Sequence, residues 1–222
     1  MKKIFKWLAL SLIVCLMAVS LTGCSDTFDA SAFIKGNLDY LYLGTVSEEF
    51  LKIVSDTEES LKQIHEATLQ AEAEYFFKFF DIVEDFIPPE MIDEVIDMYR
   101  LIFSNAKFEV GEATQTGDDY LVDVTIYPID IIQIVLEDFD DFLIAWYDRQ
   151  EDGLIDDQSV EDFETQWAGE VINLVRGKLS RIGHLEPETI SVRIVSQTSD
   201  GSNYYTISEE DMRRVDTLII TY

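Results

Sequence analysis

The chain has 222 residues, 47% of them hydrophobic and 12% aromatic, with 16 Lys and Arg against 44 Asp and Glu, a formal charge of -28. Such an apolar fraction supports a packed core and excludes wholesale disorder. The acid excess excludes binding to a nucleic-acid backbone, where affinity comes from Lys and Arg on phosphates, and electrostatic docking on anionic lipid. The charge is also unevenly placed. Residues 1–23 hold Lys2, Lys3 and Lys6 and no acid, so the other 199 residues carry 13 basic and 44 acidic side chains, a formal -31.

Met1 to Lys6 is a basic opening and Trp7 to Leu21 is almost wholly apolar. The short run with small residues at its end predicts a secretory leader rather than a spanning helix. Leu21-Thr22-Gly23-Cys24 follows and resembles the lipobox of bacterial lipoprotein signals. The resemblance implies diacylglycerol on the Cys24 thiol and cleavage just before it. The expected organisation is a signal peptide over 1–23, a lipidated Cys24 with a short tether over 24–30, and a single globular domain over 31–222. Cysteine usage agrees: Cys15 lies in the leader, and Cys24, left by itself, has no internal disulfide partner. Palmitate-class chains bind membranes at about 0.8 kcal/mol per buried CH2, and two or more hold firmly without basic help. The expected location is the extracytoplasmic face of the cell membrane.

Helical periodicity begins at Asp29, with Phe33, Leu38, Leu41 and Tyr42 on one broad face and Gly44 as a stop. Ser47-Glu48-Glu49 is a cap for a short second helix. A longer helix is predicted from about Thr57 to Phe86, with Leu61, Ile64, Thr68, Ala71, Tyr75, Phe79, Ile82 and Phe86 as its stripe, widened by Phe76, Phe80 and Val83. Pro88-Pro89 ends it and starts the next, which carries Ile92, Val95, Ile96, Tyr99, Ile102 and Phe103. The period then switches to two. Phe108, Val110 and Thr114, a Gly117-Asp118-Asp119 turn, and Tyr120, Val122, Val124 and Ile126 predict a hairpin. Pro128 opens a strongly apolar helix through Trp146, and an acidic loop is expected from about Asp148 to Ser159. Phe163, Trp167, Val171 and Leu174 mark another helix, with basic residues near its end and Gly183 as cap. Ile190, Val192 and Ile194, a turn at Asp200-Gly201, and Tyr204 to Ile207 form a second hairpin. Ser208 with Asp211 caps a last helix through Met212 and Val215. The predicted class is α+β, several helices packed on a small antiparallel sheet of about four strands.

His65-Glu66-Ala67-Thr68-Leu69 opens like a zinc-protease helix, but Leu69 stands where the second His must grip the metal. His65 and His184 are therefore expected to be solvated or loosely packed. No G-x-S-x-G, dinucleotide fingerprint or P-loop occurs. The segment from Asp148 to Ser159 resembles an EF-hand calcium loop, with Asp148, Asp152 and Asp156 at loop positions one, five and nine and Gly153 at the turn. It departs from the pattern at Gln150 and at Ser159, where a bidentate Glu belongs. A solvated acidic loop is the leading reading of this segment, calcium the alternative, and no other cofactor is indicated. Carboxylate pairs are too frequent to single out an acid–base couple. Tyr75 to Phe80 carries five aromatics in six residues, which are core by spacing and offer an alternative as pocket lining, with Phe77 off the main stripe.

The chain as a whole resembles small acidic lipoproteins of Gram-positive, clostridial-type bacteria. The likeness rests on the Cys24 lipobox, the Ala32–Asp39 helix opening, the passage from Lys107-Phe108-Glu109-Val110 to Ile126-Tyr127-Pro128-Ile129, and the closing Tyr205–Asp211 segment. Lipoproteins of this kind are similar to the cystatin/NTF2-like group, which implies a cone-shaped pocket, and the resemblance transfers no catalytic residues. The expected function is a non-enzymatic binding or interaction module, held to the membrane by lipid, with an unidentified protein or small-ligand partner. Two alternatives stand beside it: an NTF2-like small-ligand carrier or sensor, and a carboxylate-dependent hydrolase of envelope polymers.

Overall fold

A computed structural model describes residues 28–151, 158–199 and 202–222. Eight α-helices and one four-stranded antiparallel sheet are described, the α+β class expected. Two compact units emerge. One takes the chain up to Thr68 with Ala106–Pro128 and Glu186–Ile219; the other takes Leu69–Asn105, Ile129–Leu185 and Ile220–Tyr222.

In the first unit, α1 (Ala30–Leu43) starts because the Asp29 side chain accepts from the Ala32 N–H at 2.9 Å, and it stops at Gly44, whose φ of 64° suits a residue without Cβ. One buried face was expected. Burial instead runs nearly all round, through Phe33, Ile34, Asn37, Leu38, Leu41 and Tyr42. The buried Asn37 is satisfied by donating to the Phe33 carbonyl at 2.7 Å and accepting from Tyr40 at 3.3 Å. Ser47 caps α2 (Glu48–Ile53), which lays the buried Phe50 ring over Gly36 of α1.

The sheet is two hairpins joined side by side in the order β1 (Lys107–Thr116), β2 (Asp119–Tyr127), β3 (Glu188–Ser199), β4 (Ser202–Ile207). Val122, Val124 and Ile126 of β2 and Ile190, Val192 and Ile194 of β3 are buried on one face, as period two requires, and α1 and the terminal helix α8 (Glu209–Ile219) contact these strands. The register of β1 shifts between Val110 and Ala113. This bulge inverts parity, so that Thr114, predicted to continue the inward series, pairs with the outward Leu121, while Ala113 pairs with buried Val122. The Ser31 hydroxyl of α1 donates to the Gly111 carbonyl within the bulge at 2.8 Å. The outward face is a polar ladder: Thr125 bonds Thr189 at 2.7 Å, Ser191 bonds Asp123 at 2.5 Å, and the Lys107 ammonium lies 3.9 Å from the Tyr127 ring centroid. In α8 the Ser208 cap forms as expected, and the Asp211 carboxylate turns back to accept from the Arg193 N–H of β3 at 3.0 Å.

The second unit is helical. Its elements are the later part of α3 (Glu58–Phe79), then α4 (Pro89–Phe103), α5 (Ile131–Leu136), α6 (Phe139–Glu151) and α7 (Val160–Lys178). Of the expected stripe Leu61, Phe76 and Phe80 are buried and Tyr75 is exposed, while His65, Leu69, Ala73 and Phe77 join the buried face. Phe77, placed off the stripe by spacing, is thus core. Helix α3 also ends seven residues early. Asp81 has φ 52° and the Ile82 N–H returns to the Phe77 carbonyl at 2.8 Å, a left-handed termination that no Gly announces. The single apolar helix expected through Trp146 is two helices, broken at Glu137-Asp138, where Arg181 reaches Glu137 at 3.1 Å and Lys178 pairs with Asp138. The Lys178 ammonium holds the exposed Asp138 carboxyl below its ordinary range.

Candidate functional site

Of the residues singled out by sequence, Leu21, Thr22, Gly23, Cys24, Asp152 and Asp156 lie outside the described residues. Asp148 is exposed on α6, and residues 148–151, expected as loop, continue that helix. Ser159 is the cap of α7, accepting from the Asp162 N–H at 3.1 Å. Among the described residues no three His, Cys, Asp or Glu side chains gather as a metal site, and no helix is long and apolar enough to cross a membrane. His65 is not solvated. It is buried, with Nδ1 at 2.9 Å from the Leu41 carbonyl, one of the open carbonyls at the end of α1, and its ring fills the space beside Gly44. His184 is exposed, with Nε2 at 2.9 Å from the Asn105 carbonyl.

Among the described residues, a feature with the shape of a binding site is a cavity of about 320 Å³ in the helical unit. Its walls are Phe79, Phe80 and Asp81 from the end of α3, Phe139, Leu143, Trp146 and Tyr147 from α6, and Phe163 and Trp167 from α7. The rings form a connected cluster: Phe80 and Phe139 centroids are 5.5 Å apart, Trp146 and Trp167 5.4 Å, Trp146 and Phe163 6.1 Å. Trp146 is 2% exposed and makes a floor, whereas Tyr147 is 62% exposed at the mouth. The rim is tied down by α7. Trp167 donates its indole N–H to the Phe80 carbonyl at 2.9 Å, Glu164 accepts from the Val83 N–H at 3.0 Å, and Thr165 donates to the Phe86 carbonyl at 3.4 Å. These bonds explain why the chain turns at Asp81 and does not extend α3. Spacing assigns the Tyr75–Phe80 aromatics to core with pocket lining as the alternative, and of these Phe79 and Phe80 line the cavity; Trp146, Phe163 and Trp167, which the 3–4 residue spacing assigns to ordinary helix faces, line it as well.

Three other polar features are structural. The Tyr99 and Tyr222 hydroxyls bond each other, and Tyr222 donates to Glu72 at 3.1 Å. Burial pushes both phenols well above their ordinary value, so the pair stays protonated and acts as a clamp on the chain end rather than as an acid–base couple. A shallow groove of about 420 Å³ lies between Glu188 and α8, but its Arg213 and Arg214 are turned toward Glu209 at 3.9 Å and Asp211 at 3.4 Å. On the same helix Asp216 accepts a hydrogen bond from the Tyr42 hydroxyl of α1.

Asp216 makes a pH prediction. Burial raises its carboxyl above the usual range, and the Tyr42 bond opposes this. A raised folded pKa means the folded chain holds the proton more tightly. The stabilisation is complete below the unfolded value, about 3.9, and is lost as pH rises through the folded one. Near neutrality the ionised carboxylate is therefore a cost, which its place in the last turn of α8 increases. Asp216→Asn keeps an acceptor for Tyr42 and is expected to raise the melting temperature at pH 7, at about 2–4 °C per kcal/mol recovered. The gain should vanish below pH 4 in thermal scans; a lower melting temperature at pH 7 would contradict this account.

No protein-family model matches the chain, and comparison with curated proteins finds no match. The fold is similar to that in the crystal structure of a "putative lipoprotein (ycdA)" from Bacillus subtilis, with a TM-score of 0.56 and 13% identity. The likeness covers 87% of this chain and 56% of that one, so this chain corresponds to a little over half of the other's length. At such identity the resemblance is one of fold.

Proposed function

We propose that the protein is a lipid-anchored extracytoplasmic binding module with no chemistry of its own. The observation that carries the reading is the aromatic cavity between α3, α6 and α7. It has the concavity and apolar lining of a ligand pocket, and Asp81 is the one acidic residue among the described residues that line it. A hydrolase of envelope polymers acting by paired carboxylates needs two across the bond to be cut. The Leu21–Cys24 lipobox and the fold likeness to the "putative lipoprotein (ycdA)" support the anchor.

The first described residue adds a geometric consequence. The Phe28 ring stacks on Tyr205 with centroids 4.2 Å apart and packs by Tyr120 at 5.5 Å, beside the turn from β1 to β2 and three pairs inside the β3–β4 hairpin. Cys24 lies four residues before it, a reach of at most about 14 Å. The hairpin-turn end of the sheet would thus stand against the bilayer. Metabolic labelling with an alkyne palmitate analogue tests the anchor. Wild-type chain should take the label and fractionate with membranes, and Cys24→Ala should lose both. Equal labelling of the two would overturn the anchor.

A further inference from the structure

We infer that the aromatic cavity of the helical unit binds a small alkylated ammonium cation, with Asp81 as its counter-charge and the rings of Trp146, Trp167 and Tyr147 as its cage. This rests on, and sharpens, the binding reading proposed above.

Asp81 is the first reason. It is an exposed, non-glycine residue held at φ 52°, a conformation that Gly adopts with less strain than any L side chain. Strain of this kind concentrates at functional sites, and this residue is one of those that line the ring-walled cavity. The lining chemistry is the second reason. Tryptophan faces attract cations most strongly, and the Arg149 guanidinium already sits 5.8 Å from the Trp146 ring, paired with Glu170 at 3.4 Å. The net charge is the third: a body at -31 disfavours anions and enriches cations at its surface.

The same walls select among cations. Calcium takes six to eight oxygens and a primary ammonium is strongly hydrated, and one carboxylate among rings replaces neither shell. Alkyl groups on nitrogen remove that hydration demand and present apolar surface to the rings.

The test uses the full chain in non-ionic detergent, with tryptophan fluorescence and calorimetry. Choline is the probe, and its neutral carbon isostere 3,3-dimethyl-1-butanol is the control. Choline should bind saturably and at least tenfold more tightly than the isostere. Asp81→Asn keeps a residue tolerated at positive φ and removes the charge. It should lose choline affinity at least tenfold while isostere binding is unchanged. Asp81→Gly should melt higher than wild type yet bind no better than Asp81→Asn. Glycerophosphocholine, the soluble headgroup of a choline lipid, separates the sources: binding as tight as choline points to a lipid headgroup, much weaker binding to a free cation. Equal binding of choline and isostere, or unchanged choline affinity in Asp81→Asn, overturns the inference and leaves the binding reading standing. If neither probe binds, the inference fails and the cavity no longer supports the binding reading.

Discussion

Trp146→Ala is expected to destabilise the chain by about 3–5 kcal/mol, the range for deleting a buried aromatic ring. Trp146 is the largest of the nearly inaccessible side chains, at 2% exposure, and Trp167 and Phe163 pack against it. Its removal leaves a void that helical backbone cannot close, because the neighbouring rings are fixed by α7 and by the Trp167 bond to Phe80. Total stabilities of natural domains are about 5–15 kcal/mol, so the loss is a large share of whatever the chain has. Urea unfolding followed by near-ultraviolet circular dichroism measures it. Trp146→Phe, which keeps most of the packing, should cost well under half as much. A loss below about 1 kcal/mol for the alanine variant would mean the floor of the cavity is not part of the core. The experiment also bears on the ligand: the phenylalanine variant retains a ring over the cavity with a weaker attraction for cations.

Much of the architecture was legible because its signals are local. The two-residue period of Val122-Val124-Ile126 and Ile190-Val192-Ile194 specifies which face is inward without reference to anything distant. Caps at Asp29, Ser47 and Ser208, and Gly at 44 and 117, mark where elements begin or turn. The boundaries that local signals do not mark are those set from elsewhere in the chain. The apolar spacing of α3 continues to Phe86, yet bonds from Glu164, Thr165 and Trp167, more than 75 residues later, hold the turned-away segment. The break between α5 and α6 is likewise secured by Lys178 and Arg181 on Asp138 and Glu137. The bulge in β1 inverts parity at a Gly and a Glu that carry no unusual spacing.

The site was less legible than the fold, and for a related reason. Aromatics at 3–4 residue spacing are the same signal whether the helix face meets a packed neighbour or a cavity. Phe76 and Phe77 are plain core, at 0% and 2% exposure, while Phe79, two residues on, is half-exposed in the cavity wall. What separates them is the left-handed turn at Asp81, which ends the helix before its next face can be covered. A conformation reached by an aspartate leaves no mark that residue counting detects. The acidic segment after α6 drew attention instead because its pattern is visible along the chain, although residues 148–151 prove helical.

Gly36→Ala is expected to destabilise by about 1–3 kcal/mol, although alanine in a helix interior is normally favoured over glycine by about 1 kcal/mol. A Cβ built on Gly36 would lie 2.0 Å from Cδ2 and 2.3 Å from Cγ of Phe50. Those atoms belong to a ring at 2% exposure that is itself stacked on Tyr40, with centroids 5.8 Å apart, so it has no free space to retreat into. Steric overlap therefore overrides propensity at this position, and α2 is held to α1 by a ring seated where a side chain is missing. The account makes a sign prediction that simple helix weakening does not. In a Phe50→Ala background, which alone should cost about 3–5 kcal/mol, the clash is gone and only the propensity gain remains. Gly36→Ala should then be neutral or stabilising by up to about 1 kcal/mol. The coupling between the two changes, read from a double-mutant cycle in urea, should be on the order of 2 kcal/mol and favour the pair, at the upper end for side chains in direct contact. Additive effects would show that Phe50 does not pack on Gly36, and that the buried character of α1 on that side arises from another contact.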